Sequence, residues 1–121
     1  MENLDQGVSQ HRSVIKFSLP GYLDHTEIAR YLAALVRHLK MELAVPGIVT
    51  GWCEHGLGGW AHITTSCIDF MEYRLDGLAL CHVDIYSCRA YDLAAAAGFT
   101  AGHFGVRPGE LKAFRVVLEP A

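Results

Sequence analysis

Nothing in the 121 residues approaches the run of roughly 20 apolar side chains that a helix needs to cross a bilayer. The first ten residues are polar and lack a hydrophobic signal region, so a cytoplasmic protein with no membrane partner is expected. Charge of one sign is also scarce. Ten Lys and Arg stand against 13 Asp and Glu, a formal net charge of −3, which leaves no basic surface suited to nucleic acid. The four cysteines, Cys53, Cys67, Cys81 and Cys88, are even in number, but without an export signal they read as reduced thiols, not as a disulfide framework. Gly56-Leu57-Gly58-Gly59 has neither the lysine nor the following helix of a phosphate loop, and no Ser-His-Asp order or paired acidic motif supports a hydrolase. Repeats, low-complexity tracts and long linkers are missing too. A small-molecule ligand is the expected partner.

What is present is apolar and regularly patterned. Hydrophobic residues make up 51% of the chain, enough for one core and one domain over residues 12–121 behind a flexible tail at 1–11. β-branched and aromatic residues predict strands at 12–18, 48–53, 60–67, 78–88 and 113–118. Asp24 followed by Glu27 has the spacing of a capping box, and Ile28, Tyr31, Leu32, Leu35, Val36, Leu39 and Leu43 recur at helical spacing behind it. Four consecutive alanines predict a second helix at 91–99, which Gly98 or Gly102 could close. Residues 56–59 read as a turn and 69–77 as a charged connection. The order strand, helix, three strands, helix, strand implies an α+β two-layer sandwich, an antiparallel-rich sheet with two helices on one face. The bare sheet face of such a sandwich implies a homodimer or higher homo-oligomer.

Because side chains alternate along a strand, His82, Asp84, Tyr86 and Cys88 are predicted on one face and Val83, Ile85 and Ser87 on the other. The same rule groups His62, Thr64 and Ser66. If the two strands are neighbours, a polar pocket lies between them; the competing reading is an exposed, mutually hydrogen-bonded row. Cys88 alone reads more often as a packed thiol than as a reactive one. Cys53, His55 and His62 offer zinc-type donors, with His82 or His103 as further members, so zinc or another transition metal is a second expectation.

Val83-Asp84-Ile85-Tyr86-Ser87-Cys88 is similar to the Val-Asp-(Val/Ile)-(Phe/Tyr)-(Thr/Ser)-Cys strand of the prokaryotic S-adenosylmethionine decarboxylases, which the chain resembles from about His11 to Pro120. The family's cysteine there is catalytic, and Cys88 stands in its place. Ala61-His62-Ile63-Thr64-Thr65-Ser66 is set against the family's Ser-His-Leu-Ser-Ile-His segment, which glutamate precedes. In that alignment Trp60-Ala61 replaces the Glu-Ser pair cleaved to make the family's pyruvoyl group, Ser66 replaces a histidine that assists processing, and only His62 is kept. The connection to the cysteine-bearing strand is longer than in the family.

The resemblance implies the fold, a dimer, and a pocket for S-adenosylmethionine or a related amino acid or nucleoside, as in polyamine biosynthesis. Alanine cannot form a pyruvoyl carbonyl, so no cofactor is expected, and cleavage at Ser66 instead would move the carbonyl along the chain. Three functions follow. One is a decarboxylase-like lyase using Cys88, His82, Asp84 and Ser66, with His62, Thr64, Tyr86 and Trp60 on the ligand. The others are a non-catalytic regulatory homologue and a repurposed, metal-dependent enzyme.

Overall fold

A computed structural model describes residues 10–117. The expected tail therefore lies outside the described residues except for its last two positions, as do Leu118 and Pro120 at the end of the expected final strand. Along the chain run β1 (His11–Pro20), α1 (His25–His38), β2 (Val49–Trp52), β3 (Leu57–Ile63), β4 (Ser66–Leu75), β5 (Leu78–Ser87), α2 (Leu93–Phe104), a short 3-10 turn (Pro108–Glu110) and β6 (Lys112–Arg115). The strands form one sheet in the order β2-β3-β4-β5-β1-β6, with every neighbouring pair antiparallel. This is an α+β architecture.

Both helices begin where the chain supplies a cap. Asp24 accepts from the Glu27 N–H at 2.7 Å while Glu27 accepts from the Asp24 N–H at 3.1 Å, satisfying two donors that the first turn of α1 leaves open. Asp92 does the same for Ala95 at the start of α2, which runs through Gly98 and Gly102 and stops at Gly105, in the left-handed region at φ 67°. Ile28, Tyr31, Leu32 and Leu35 of α1 and Leu93 and Ala96 of α2 are buried with Ile15, Ile68, Phe70, Val83 and Ile85 of the sheet. The core is therefore the layer between the helices and one sheet face. Gly59 lets α1 come close: a Cβ there would overlap the methyl groups of Ile28 and Leu32.

Three expectations fail at the middle of the chain. The strand expected at 60–67 ends at Ile63, turns through Thr64-Thr65 and returns as β4, and the expected connection at 69–77 is mostly that strand, with only Asp76-Gly77 left as the turn into β5. The turn into β4 carries no glycine or proline, so composition did not mark it. Within β4, Glu72 and Arg74 occupy core-facing positions where alternation calls for apolar residues. They are tolerated because the buried Glu72 carboxylate accepts from Arg74 Nε at 2.7 Å and from the Leu23 N–H at 2.6 Å. A tight turn at Cys53 to Gly56, closed by Cys53 N–H to Gly56 O at 2.7 Å, replaces the turn expected at 56–59.

Candidate functional site

The pairing register sorts the sheet into rows. On the helix-free face one row runs His62, Cys67, Tyr86, Arg12 across β3, β4, β5 and β1, and the next runs Val49, Trp60, Asp69, Asp84, Val14, Phe114 across all six strands. His82, Asp84 and Tyr86 point to this face, half-buried, while Val83, Ile85 and Ser87 are buried on the other, as alternation predicts. Arg12 forks onto Asp84 at 2.7 and 3.2 Å. Asp69 sits directly opposite Asp84, and its carboxyl is pushed above the ordinary range first by burial and then by that neighbouring carboxylate. Burial and Asp69 likewise push the Cys67 thiol up, which keeps it protonated. An open cavity of about 400 Å³ lies over these strands, walled by Trp52, Trp60, Met71 and Asp69 and reaching His82 and Asp84.

The second part of the site is at the end of the sheet, where the β3–β4 turn meets the end of β5. Cys88 N–H donates to the Thr65 carbonyl at 2.9 Å, and Ser87 Oγ donates to Thr65 Oγ1 at 2.9 Å. Ser66 pairs with Ser87 and has φ 151°, a backbone conformation rare for any residue but glycine. The neighbouring loops are pinned to this turn: Thr64 N–H donates to Glu42 O at 2.9 Å, and Arg89 reaches Lys40 O at 2.8 Å. Ser13, wholly buried, accepts from Tyr91 OH at 2.7 Å nearby. Cys88 itself is exposed, so it is not a packed core thiol.

The sequence-derived candidates therefore split. Ser66 and Cys88 come together. Thr64 falls in the turn, so His62, Thr64 and Ser66 do not share a strand face, and β4 separates β3 from β5. His82 lies six residues up β5 from Cys88, roughly 20 Å along an extended strand, and Asp84 roughly 13 Å, so neither serves Cys88 directly. Both belong to the open-face cavity with Trp60, while His62 and Tyr86 occupy the row between the two parts. Cys53 and His55 sit in the turn before β3, with His55 against Tyr73, whereas His62 is near the far end of that strand. Among the described residues no group of three or more metal-ligating side chains is gathered.

Thr65, Ser87 and Arg12 are participants that periodicity could not supply. Ser87 alternates onto the packed face and reads as structural, and the roles of Thr65 and Arg12 depend on which strands pair. No protein-family model and no curated protein matches the chain. Among the described residues no helix is long and apolar enough to cross a membrane.

Proposed function

We propose that the chain is an S-adenosylmethionine decarboxylase-like protein whose reactive residue is Ser66. The observation that carries this reading is the hairpin: the strand paired with the cysteine-bearing strand opens at Ser66, not at Ala61. Set in that register, Ser66-Cys67-Ile68-Asp69-Phe70-Met71 stands against the family's Ser-His-Leu-Ser-Ile-His segment, with Thr65 in place of the preceding glutamate. Cys67 and Met71 then replace histidines. Those departures leave the hydroxyl in place while changing the groups that would assist it.

The residues at the hairpin suit formation of a pyruvoyl group better than those at Ala61, which has no hydroxyl. The Ser66 hydroxyl is one residue from the Thr65 carbonyl carbon, the Ser66 N–Cα bond next to that amide carries the strained φ, and the Thr65 oxygen already accepts the Cys88 N–H. Attack by Ser66 Oγ would form an ester as the Thr65–Ser66 amide C–N bond breaks and the hydroxyl proton passes to the freed nitrogen, while that N–H holds the charge gathering on oxygen. Elimination would then release Thr65 as a carboxylate, and addition of water with loss of ammonia would leave the carbonyl. A pyruvoyl group supplies a carbonyl that draws electrons from a bound amino acid. The exposed Cys88 thiol is the proton donor at the same turn. The cavity with Trp60 and Asp69 suits a flat ring joined to a cationic group, since the aromatic face can stack the ring and both groups attract a cation.

Intact mass tests the reading. The expected result for freshly purified protein is two fragments divided between Thr65 and Ser66, the second without a free N-terminal amine, and a single uncut chain for Ser66→Ala. An uncut wild-type chain that still binds S-adenosylmethionine calorimetrically would sink the lyase reading and favour the non-catalytic homologue.

A further inference from the structure

The row beyond the Trp60 row has a different character. Met71, His82, Lys16 and Lys112 lie directly opposite one another across β4, β5, β1 and β6, so two lysines and a histidine stand side by side on three adjacent strands of the helix-free face. Like charges directly opposite on paired strands are destabilising. Neither lysine makes an ion pair among the described residues. The His82 imidazole is held below its ordinary pKa first by burial and then by Lys16, an electrical sign of how close the two groups are.

These groups line a second cavity of about 390 Å³, separate from the Trp60 cavity except for the shared His82. Its walls also include Ser18, Tyr73 and Leu80, the last two unusually exposed for their size at 41% and 38%. Glu110, from the 3-10 turn, also lines it without pairing to either lysine. Cationic groups thus stand along one side, with a hydroxyl and an uncovered apolar and aromatic platform beside them.

We infer that this cavity binds a small phosphate monoester with a ring, the phosphate held by Lys16, Lys112 and His82 and the ring laid over Leu80 against Tyr73. The phosphate relieves the repulsion within the row, and the ring covers apolar surface that the fold leaves open. A free inorganic anion would satisfy only the first need. A carboxylate ligand would present one negative charge to a row built for two. The site is independent of the chemistry at Ser66, because none of its residues touches that turn.

The experiment is a calorimetric titration of the full chain with phenyl phosphate, inorganic phosphate and phenol. Expected is binding of phenyl phosphate at least about tenfold tighter than inorganic phosphate, with no detectable phenol binding. Lys16→Gln/Lys112→Gln should weaken phenyl phosphate about tenfold or more, Leu80→Ser should erase its advantage over inorganic phosphate, and Arg37→Gln on the exposed side of α1 should change neither. Equal affinities in wild type and the double lysine variant overturn the proposal. So does a flat wild-type titration accompanied by loss of a dimer in the double variant, which would make a second copy the occupant. Cleavage between Thr65 and Ser66 should be the same in all variants, so failure here and failure at Ser66 are told apart.

Discussion

Arg74→Met should be among the most damaging single substitutions in the protein, although the residue is far from Ser66. Glu72 is wholly buried and its carboxylate has two donors, the Leu23 N–H at 2.6 Å and Arg74 Nε at 2.7 Å. Arg74 returns a bond to Leu23 O at 2.9 Å, and its guanidinium lies between the Tyr22 and Trp52 rings, 4.5 and 4.7 Å from their centroids. Removing one member of a buried charge pair costs about 3–5 kcal/mol, because the survivor stays desolvated and unpaired. With 25% of the Arg74 side chain exposed, the lower end applies, about 3 kcal/mol, or a fall in Tm of roughly 10–15 °C. Glu72→Leu/Arg74→Met removes both charges and should cost about 1–2 kcal/mol, chiefly the Leu23 N–H left without an acceptor. Urea unfolding followed by tryptophan fluorescence measures Arg74→Met, Glu72→Leu and the double variant, and Trp52 reports directly on the clasp. A loss below about 1 kcal/mol for Arg74→Met, or a double variant as damaged as the sum of the singles, would refute the reasoning.

Gly59→Ala should cost about 1–3 kcal/mol by thermal unfolding, since the new methyl must displace Ile28 and Leu32 of α1; an unchanged Tm would show that the helix does not pack where described. Asp69 has a folded pKa above its unfolded one, so its ionisation penalises the fold at neutral pH and the penalty disappears once both states are protonated. Asp69→Asn should therefore raise Tm at pH 7 and lose that advantage as pH falls below the ordinary value of 3.8; a gain that persists at pH 2 contradicts the assignment. In alkylation followed by peptide mass spectrometry, exposed Cys53 and Cys88 should react in the native protein, whereas Cys81, whose thiol is buried and pushed up to about 12, should react only with unfolding. Cys88→Ala should leave the unfolding free energy, read from urea titration, within about 0.5 kcal/mol of wild type, as befits an exposed side chain.

The parts of the fold that follow local rules were legible. The Asp24–Glu27 pair announced α1, and the alternation from Leu78 onward gave β5 with its faces the right way round. β4 was hidden because Glu72 and Arg74, which satisfy each other against the Leu23 backbone, look like the charges of a solvated connection. With that strand read as a connection, the family comparison was set on β3, whereas the reading proposed above sets it on β4. The helix-free face was foreseen, but its rows were not, because a row is set by which strands pair and in what register. Lys16 and Lys112 are 96 positions apart in sequence, and nothing near either one signals the other.

The sheet order has one more consequence, for a chain divided at the β3–β4 turn. One piece would keep β1, α1, β2 and β3 and the other β4, β5, α2 and β6, yet β1 is threaded between β5 and β6, and β3 lies along β4. Each piece is thus gripped on two sides by the other, and α1 and α2 share one core above them. A severed backbone would behave as an interlocked heterodimer: two bands under denaturing conditions, a single species under native ones, and neither half with more than a two-stranded hairpin of its own to return to once separated.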